Sequence, residues 1–571
     1  MWGMRMDKKE VAAVLEEIAM LMELKGENPF RVRSYTNGAR TLEGVEEDLA
    51  VVVAEGRLRE IKGIGEGLAA VITELMETGE SSDLKVLQAA FPASIYELFA
   101  IPGLGPKRIK QVYEALGIDS MEKLEAACKN DELKPLKGIG AKMQAKILEG
   151  IDFARAHTGS FLFNKAEAQA LALVAYLEGS GLVKAIAVTG SLRRRKEVIK
   201  DIDLVATSNA AGALMQCFVD APEVAVVTGH GETKSSVRFA SGISADLRVV
   251  DAAQFPYTLL HFTGSKEHNV VLRQRAKERD LKLNEYGLFK DDDTLVTCKS
   301  EEAIYKALDL PFIPPELRED RGEFELKKSP PLLEEKDLKG LIHCHTTYSD
   351  GKNTLDEMVA ATQERGYEYM LITDHSQSAG YAGGLKPDRI EKQQAEIARL
   401  NKKLKGFRVL SGIESDIRID GSLDYEDDVL ATFDLVIASV HNKLDMDEKE
   451  ATKRVITAIE NPYTAILGHA TGRLLLSRKG FPLDFDKVFD ACVANRVAVE
   501  INANCKRLDI DWRHIRQGRD KGVLFSVGPD AHNIAGLDHV PYGVGIARKG
   551  WLAEEHVINC WTAEELLAWR K

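Results

Sequence analysis

The spacing of hydrophobic and polar positions changes along this chain and divides it into regions of different secondary structure. From residue 7 to about residue 153, apolar positions recur at helical spacing and β-branched alternation is scarce. From residue 161 to about residue 255, helical and strand patterns alternate. Beyond residue 340, seven short apolar runs follow one another with helical segments between them. We therefore expect a multidomain protein with an all-α N-terminal region followed by mixed regions.

The seven C-terminal runs predict a parallel sheet, because strands that alternate with helices pair in parallel. Seven repeats indicate a distorted (β/α)7 barrel, whose functional residues would lie at the C-terminal ends of the strands. A lone histidine after a strand is usually structural, but many ligand-type residues at one barrel mouth favour a metal centre. The candidates that follow these runs are His343, His345, Asp350, His375, Glu414, His441, His469, Asp530 and His532.

Two carboxylates alternate along one predicted strand between the helical and barrel regions. Residues two apart on a strand face the same side, so Asp201 and Asp203 project together while Ile202 and Leu204 face the core. Paired carboxylates repel unless cations lie between them, and hard oxygen ligands suit Mg²⁺. Asp246, on another strand-like run, is available as a third carboxylate. The Asp-x-Asp pattern alone is more often a surface feature beside a turn.

A Gly-Ser turn and a basic segment precede this strand. Gly190 lets a phosphate approach the backbone, and Ser191 and Arg194 can bind its oxygens. Two Mg²⁺ ions held by the aspartates could clamp a phosphoryl transfer. The combination of turn, arginines, carboxylate pair and further aspartate is more specific than any of its parts. It resembles the nucleotidyltransferase palm of family X DNA polymerases, the DNA polymerase beta group.

A hydrophobic-x-Gly-hydrophobic-Gly pattern occurs repeatedly in the N-terminal third, each time before a helical run. Such a hairpin frees backbone amides at a helix N-terminus, and these can hold a DNA phosphate without reading sequence. One copy could be a plain turn between helices. Several copies, with Lys107 just after the second, favour helix-hairpin-helix elements that bind the duplex backbone. The glycine pairs are Gly63 and Gly65, Gly103 and Gly105, and Gly138 and Gly140.

The resemblance to family X implies further roles outside the palm. The segment 261–273 resembles the part that encloses the incoming nucleotide, with Gly264 in its turn, Asn269 near the nascent base pair and Arg273 near the template strand. Lys234 matches a template-side loop and is a candidate DNA contact, with a solvated charge as an equal alternative. Val71 stands where lyase-active members have their Schiff-base lysine, so we expect no deoxyribose-phosphate lyase chemistry.

The C-terminal ligand set resembles the polymerase and histidinol phosphatase (PHP) domain, whose members hold two or three metal ions. Neutral nitrogen ligands suit Mn²⁺ or Zn²⁺ better than Mg²⁺, and Arg473 is a candidate phosphate clamp. The resemblance divides the ligands into a first set of His343, His345, Glu414 and Asp530, a second of His375 and His441 sharing Glu414, and a third of Asp350, His469 and His532.

Composition limits the possible partners and compartment. The net charge of −13 argues against a general positive field for nucleic acid, so any DNA-binding surface must be local. The seven cysteines show no paired spacing, which predicts reduced thiols in a cytoplasmic protein. No apolar run reaches membrane-spanning length, so no membrane partner is expected.

Together these features predict a boundary scheme and a function. The segments are 1–82 lyase-like helical, 83–160 helix-hairpin-helix, 161–255 palm, 256–317 nucleotide-selecting, 318–337 extended linker and 338–571 PHP. We expect a monomeric, template-directed polymerase that fills short gaps in DNA repair. Its partners would be gapped or primer–template DNA, deoxynucleoside triphosphates and two Mg²⁺. The PHP domain would add 3′–5′ exonuclease or phosphoesterase activity, with abasic-site endonuclease activity left open.

Two other functions fit parts of the sequence. One is a histidinol-phosphate-like, small-molecule phosphatase that carries a degenerate polymerase, and the intact aspartates and hairpins argue against it. The other is a non-catalytic DNA-binding scaffold, which the full set of metal-ligand residues disfavours.

Overall fold

The computed structural model describes residue 6, residues 8–43, residue 45 and residues 47–570. The chain divides into two compact units, which meet in sequence at Thr158 and Gly159. Within the described ranges, no helix is both long and apolar enough to cross a membrane. All seven cysteines are free thiols.

The first unit is helical, as its apolar spacing predicts. Ile18 and Ile72 are fully buried in its core. Ile64, Leu104 and Ile139, the hydrophobic residues between the paired glycines, are also buried and anchor each hairpin in that core. The helices are α1 Lys8–Lys25, α2 Pro29–Glu43, α3 Leu49–Ala54, α4 Glu66–Thr78, α5 Ser82–Ala89, α6 Tyr96–Phe99, α7 Pro106–Leu116, α8 Met121–Lys129 and α9 Ala141–His157.

The second unit begins with a mixed α/β palm. Its main sheet has the strand order β2-β4-β7-β6-β5, in which β4 and β7 are parallel and the other pairs are antiparallel. Ile202 and Leu204 of β4 are buried, which confirms the predicted alternation of this strand. The elements are β1 Phe161–Leu162, α10 Phe163–Gly179, β2 Ala185–Val188, α11 Gly190–Arg193, β3 Val198–Ile199, β4 Asp201–Thr207, α12 Ala211–Val219, β5 Val224–His230, β6 Lys234–Phe239 and β7 Ser244–Val249.

A small helical subdomain with one hairpin follows the palm. Its core is apolar and includes Leu272, Ile304 and Tyr305, all fully buried. Its elements are α13 Phe255–Thr263, α14 Lys266–Lys277, β8 Leu281–Asn284, β9 Gly287–Lys290 and α15 Glu301–Ala307.

The stretch predicted as an extended linker, 318–337, contains only short 3₁₀ turns but is not a free spacer. Arg318 and Glu323 are fully buried. Arg318 pairs with Glu301 at 2.6 Å, and Glu323 accepts a hydrogen bond of 2.8 Å from the Nδ1 of His268. Charged residues of the predicted linker therefore form buried pairs that join this stretch to the preceding subdomain.

The C-terminal region is a seven-stranded parallel barrel in chain order, β10 to β16, as the apolar runs predict. A parallel bridge between Cys344 and Ala531 joins the first and last strands near their C-terminal ends. The strands are β10 Gly340–Cys344, β11 Tyr369–Ile372, β12 Arg408–Asp416, β13 Leu435–Ser439, β14 Thr464–Leu467, β15 Ala498–Asn502 and β16 Phe525–Gly528. The helices are α16 Leu355–Glu364, α17 Pro387–Asn401, α18 Asp427–Leu430, α19 Glu448–Ile459, α20 Phe485–Asn495, α21 Trp512–Lys521, α22 Val540–Lys549 and α23 Ala563–Arg570.

Candidate active sites

The palm brings its three aspartates to one face of the sheet. In the parallel register of β4 and β7, Asp203 stands directly beside Asp246, and Asp201 lies one pleat away on the same side as Asp203. Desolvation of Asp203, with the charges of Asp201 and Asp246, raises its pKa to about 6. Lys234 forms an ion pair of 2.6 Å with Asp246. These carboxylates repel one another and are partly compensated by a lysine, which is the electrostatic setting of a cation site.

The Gly-Ser turn packs directly on this carboxylate pair. Gly190 has a φ of +63°, and a Cβ at this position would lie 2.3 Å from the Oδ2 of Asp203. The Thr189 amide donates a hydrogen bond of 2.8 Å to the carbonyl of Asp203. Gly190 is therefore required for both the left-handed backbone and the close approach, and Ser191 follows it at the edge of the site.

Two arginines after the turn connect the palm to the next subdomain. Arg193 pairs with Glu301 at 2.6 Å and also donates to the Thr263 hydroxyl. Arg194 donates a bond of 2.7 Å to the carbonyl of Thr263 and one of 3.1 Å to Glu319. The Gly-Ser turn is thus held next to Gly264, which directly follows Thr263.

The predicted nucleotide-enclosing residues also come together. Gly264 lies so close to Asn269 that a Cβ on the glycine would be 2.3 Å from Nδ2 of that side chain. Asn269 donates a bond of 2.7 Å to the carbonyl of His261. Asn269, Arg273 and His261 line one pocket with Asn284. The structure therefore gathers these side chains, while their contact with a nucleotide stays a prediction.

The three hairpins of the first unit share one backbone geometry. Gly63, Gly103 and Gly138 have φ values of +101°, +79° and +81°. Their partners Gly65, Gly105 and Gly140 are the N-cap residues of α4, α7 and α9. A Cβ on any of these N-cap glycines would meet no atom within 4 Å, so the hairpin backbones are open to a large ligand. Lys107 follows the second pair with a side chain that is 87% exposed.

The barrel gathers all nine predicted ligands at the C-terminal ends of its strands. Glu414 is central: its carboxylate lies 2.9 Å from His375 and from His469, 3.2 Å from His441 and 3.5 Å from His343. Three groups have ligand atoms close enough to share an ion: His343, His345 and Asp530; His375, Glu414 and His441; and His345, Asp350, His375 and His532.

Buried polar atoms without partners test whether these residues fit metal ions. Nε2 of His343, both ring nitrogens of His345 and Oε2 of Glu414 are buried without a hydrogen bond. Such atoms are costly to bury unless something binds them. His343, His469 and Asp530 also have φ values of +74°, +22° and +52°, and strained backbone of this kind is concentrated at functional sites. The donor set of imidazoles and carboxylates fits divalent transition metals.

The pKa values of the histidines at the barrel centre are shifted in opposite directions. Burial lowers the pKa of His345 to about 3, helped by the nearby His532 and His375. Burial acts in the same direction on His441, but Glu414 and Asp416 outweigh it and raise the pKa of His441 to about 10. Without cations, protons must therefore neutralise part of this acidic cluster, so metal ions and protons compete for the same atoms.

Comparison with known proteins identifies the domains. Family models match residues 6–81 as a helix-hairpin-helix domain, 95–152 as a SAM-like helix-hairpin-helix tandem, 258–319 as a DNA polymerase beta thumb and 342–504 as a PHP domain. The DNA polymerase/3′-5′ exonuclease PolX of Bacillus subtilis (strain 168) is 38% identical over 570 residues, covering 99% of this chain and 100% of that protein. The chain belongs to the bacterial family X DNA polymerases with a PHP domain.

Two further comparisons cover part of this family X chain. A probable phosphatase of Thermoanaerobacter sp. (strain X514) is 26% identical over 247 residues, covering 39% of this chain and 91% of its own length. The Leishmania infantum polymerase beta structure, a ternary P/T complex, is 21% identical over 40% of this chain and 98% of its own, with a TM-score of 0.27.

The structure corrects one implied ligand set of the PHP domain. His469 was grouped with Asp350 and His532, but its Nε2 lies 2.9 Å from Glu414. His375 instead joins the group of Asp350 and His532, with its Nε2 3.7 Å from Asp350. The reason is that His469 follows β14, which lies next to β13 and two strands from β12, whereas Asp350 and His532 lie on loops at the β10–β16 closure.

The contacts of Arg473 do not support its predicted role as a phosphate clamp. Its guanidinium donates to the carbonyls of Arg507 and Leu508 and to the carboxylate of Asp511, and its side chain is only 11% exposed. Arg507 is the basic residue closer to the ligands, with its Nε 3.6 Å from Oδ2 of Asp530. Arg473 therefore fixes the loop from which Arg507 reaches the centre.

Sequence reasoning missed the carboxylates that orient the candidate PHP ligands. Glu500 accepts a bond of 2.5 Å from Nδ1 of His343 and one of 2.7 Å from the amide of His469. Asp416 accepts a bond of 2.6 Å from Nδ1 of His441. Partners of this kind fix a ligand's tautomer and ring orientation. The available signal was a charged residue inside an otherwise apolar strand, since Glu500 is fully buried in β15.

Val71, at the position of the family's lyase lysine, is a buried residue of α4. Its side chain packs in the helical core. The absence of lyase chemistry stays a prediction.

Proposed function

We propose that the chain is a template-directed DNA polymerase that fills short gaps during repair, joined to a PHP-domain 3′–5′ exonuclease. The observation that carries the proposal is the presence, in one compact unit, of two separate clusters of cation-binding side chains. One is the palm set beside the Gly190 turn, and the other is the nine-residue barrel set. Membership in a family that includes the Bacillus subtilis polymerase/exonuclease supports the same pairing of activities.

In the palm, Asp201, Asp203 and Asp246 would hold two Mg²⁺ ions, which neutralise the charge that develops on the transferred phosphoryl group. Asp246 would orient the primer 3′-hydroxyl. Lys234, now paired with Asp246, would be free to contact a DNA phosphate once cations satisfy that carboxylate. These roles explain why three acidic side chains share one face of the sheet.

The incoming nucleotide would lie between the palm turn and the thumb. Ser191, the amide at Gly190 and Arg194 would hold the triphosphate oxygens. Asn269 and Arg273 would line the side of the nascent base pair. The bonds from Arg193 and Arg194 to Thr263 fix the position of these two groups of residues relative to each other.

In the PHP domain, the nine ligands would hold two or three Mn²⁺ or Zn²⁺ ions. Such ions activate a water nucleophile near neutral pH and neutralise a bound phosphate. Arg507 would bind the phosphate being cleaved, because it is the basic side chain beside Asp530. Tyr381 is 75% exposed, with its ring centroid 6.2 Å from that of His375, and would stack on the terminal base of the strand.

The hairpins would bind the backbone of gapped or primer–template DNA. Their open glycine backbones bind phosphates through amides and helix N-termini, which an overall acidic protein can do without a large basic surface. We place the protein in the cytoplasm as a monomer, with free cysteines in accord with a reducing compartment.

The test is a His343→Ala, His345→Ala double variant of the full chain. It should lose Mn²⁺-stimulated hydrolysis of DNA 3′ ends and bind fewer metal ions by elemental analysis, while it still fills gaps with Mg²⁺. The control is His556→Ala, in the same domain but outside the ligand set. Unchanged metal content and hydrolysis in the double variant would show that these histidines are not ligands.

The same preparation separates the alternative functions. A small-molecule phosphatase would hydrolyse histidinol phosphate efficiently and extend no primer. A scaffold would bind gapped DNA and show neither reaction. An abasic-site substrate in the same series tests whether the PHP centre also incises DNA.

A further inference from the structure

A fully buried lysine connects the PHP domain to the palm. Lys549 ends α22 of the barrel, and its side chain has no exposed surface. Its Nζ lies 2.6 Å from Glu319, and it donates bonds of 3.0 Å and 3.1 Å to the carbonyls of Arg194 and Glu316. The ammonium also lies 4.4 Å from the centre of the Trp512 ring. A buried ammonium is expensive unless its donors are satisfied, and here each has a partner.

Lys549 and Arg194 share one carboxylate. Glu319 lies 3.1 Å from Nε of Arg194 and 3.6 Å from Nζ of Lys196, in addition to Lys549. Burial opposes ionisation of Glu319, but these three cations lower its pKa to about 2. We call Arg194, Lys196, Glu319 and Lys549 the Glu319 cluster. It carries three positive charges against one negative charge, so it presents a net positive field at the proposed triphosphate site.

A second contact holds the same palm loop from the PHP side. Glu197 lies between Arg194 and the Asp201 strand, and it is buried. It accepts a bond of 3.0 Å from the indole N–H of Trp512 and one of 2.9 Å from Arg513. Both donors stand at the start of α21. The loop from Arg194 to Glu197 is therefore fixed at its beginning by Lys549 and at its end by Trp512 and Arg513.

The start of α21 is also bonded to the loop that carries a PHP ligand. Asp511, the N-cap residue of α21, lies 3.1 Å from Arg473. Asp509 accepts bonds from the amide and hydroxyl of Thr471, two residues after His469. The loop at the barrel mouth and the palm loop are thus held by neighbouring residues of one segment, 509–513.

We propose that Lys549 and Trp512 of the PHP domain are positioning residues for nucleotide binding by the polymerase. Lys549 draws part of the Glu319 charge away from Arg194 and holds the Arg194 backbone, so that the guanidinium can exchange its bonds to Glu319 and the Thr263 carbonyl for bonds to a triphosphate. Trp512 fixes the far end of the same loop through Glu197. The proposal rests on the proposed triphosphate role of Arg194. In contrast, contacts that served only to dock the two domains would leave nucleotide affinity unchanged.

The experiment measures single-nucleotide gap filling by full-length Lys549→Met and Trp512→Phe variants. Trp512→Phe keeps an aromatic ring beside Lys549 and removes only the N–H donor to Glu197. We expect the KM for the nucleotide to rise by about tenfold for Lys549→Met and less for Trp512→Phe, with kcat within about twofold of wild type. Affinity for gapped DNA and 3′-end hydrolysis should not change.

The control is Lys521→Met. Lys521 lies on the same helix as Trp512 but pairs with Asp486 and Asp490 inside the PHP domain. It should behave as wild type in every assay. A Glu319→Gln variant completes a double-mutant cycle: Lys549→Met should raise KM less in this background than in the wild type, because only the bond from Lys549 to the Arg194 carbonyl then remains to be lost.

Two results would overturn the proposal. One is a wild-type KM in both folded variants, and the other is a full additional loss from Lys549→Met in the Glu319→Gln background. If Lys549→Met fails to fold, Trp512→Phe decides alone. Arg194→Ala is measured beside them: if it leaves KM unchanged, the proposed triphosphate site is wrong, whereas an effect of Arg194 without one of Lys549 or Trp512 rejects only the positioning role.

Discussion

At the scale of single residues, Asp203 is constrained from several sides in the palm. It touches the Gly190 turn, faces Asp246 across two parallel strands and has a raised pKa because burial and two like charges disfavour its ionised form. A neutral side chain at this position would relieve the repulsion and remove a proposed cation ligand at the same time. Loss of activity can therefore be separated from loss of stability.

We expect Asp201→Ala or Asp203→Ala to abolish nucleotide addition and to leave 3′-end hydrolysis intact, because the two ligand sets are in different domains. Primer extension and exonuclease assays on one preparation measure both. Asp251→Ala, an exposed aspartate just beyond β7, serves as the control. Loss of hydrolysis together with extension in a folded variant would contradict the separation of the sites.

Glu500 offers a matching test in the barrel. Glu500→Gln keeps the shape of the side chain but weakens its hold on His343 and on the His469 loop, so metal affinity should fall by roughly 10- to 100-fold. Competition for the metal with a chelator whose absorbance changes on metal binding measures this affinity directly. The control Glu364→Gln changes an exposed glutamate of α16. Unaltered metal affinity in Glu500→Gln would mean that this carboxylate is only structural.

At the scale of elements, the hairpins owe their repetition to two different demands on glycine. The first glycine of each pair adopts a positive φ, and the second leaves the helix N-terminus open to a phosphate. A substitution at the first glycine should therefore affect both backbone strain and DNA binding. The control must be a glycine with a positive φ outside the hairpins, where a substitution introduces strain without touching the proposed phosphate site.

Gly103→Ala and Gly138→Ala should each cost roughly 1–2 kcal/mol of stability from the left-handed backbone and should also weaken binding to gapped DNA. Gly117→Ala provides the control, since Gly117 has a φ of +64° at the C-terminal end of α7, outside the hairpins. Thermal unfolding and fluorescence anisotropy measure the two effects. If Gly117→Ala weakened DNA binding as much as the hairpin variants, the loss would reflect strain and not a phosphate site.

At the scale of the whole molecule, buried charge pairs hold the polymerase and PHP parts of the second unit together. The Glu319 cluster and the Glu197 contacts do so with ionised groups, whereas Phe163 and Tyr542 meet edge to face at 5.9 Å. Pairs of this kind make the contact sensitive to pH, because a carboxylate that loses its charge leaves buried cations without a partner.

Glu319 sets the direction of that sensitivity. Its folded pKa of about 2 lies below the ordinary 4.5, so the stability it contributes is complete above about pH 4.5 and is lost as the pH falls toward 2. The free energy of unfolding should therefore differ most between wild type and Glu319→Gln at neutral pH, by on the order of 3 kcal/mol, and the difference should shrink by pH 3. Urea unfolding at pH 7, 5 and 3 measures it, and a difference independent of pH would contradict the assignment.

The sequence by itself determined the features that depend on local spacing. Asp201 and Asp203 had to share a face because strands have a period of two. The hairpin glycines could be recognised because the same pattern is repeated in the N-terminal third of the chain. The nine barrel ligands could be predicted together because the C-terminal ends of parallel strands meet at one mouth, whatever the detailed packing.

Only the tertiary structure decided which side chains meet. His469 lies beside Glu414 and not Asp350 because strand neighbours and loop closure set side-chain directions across the barrel. Glu500, Arg473 and Lys549 are charged residues whose partners are 31 to 355 positions away in sequence, so no local pattern shows that they are buried and paired. A buried charge needs such a partner. Burial is set by the packing of the whole molecule and cannot be inferred from the spacing of residues along the chain.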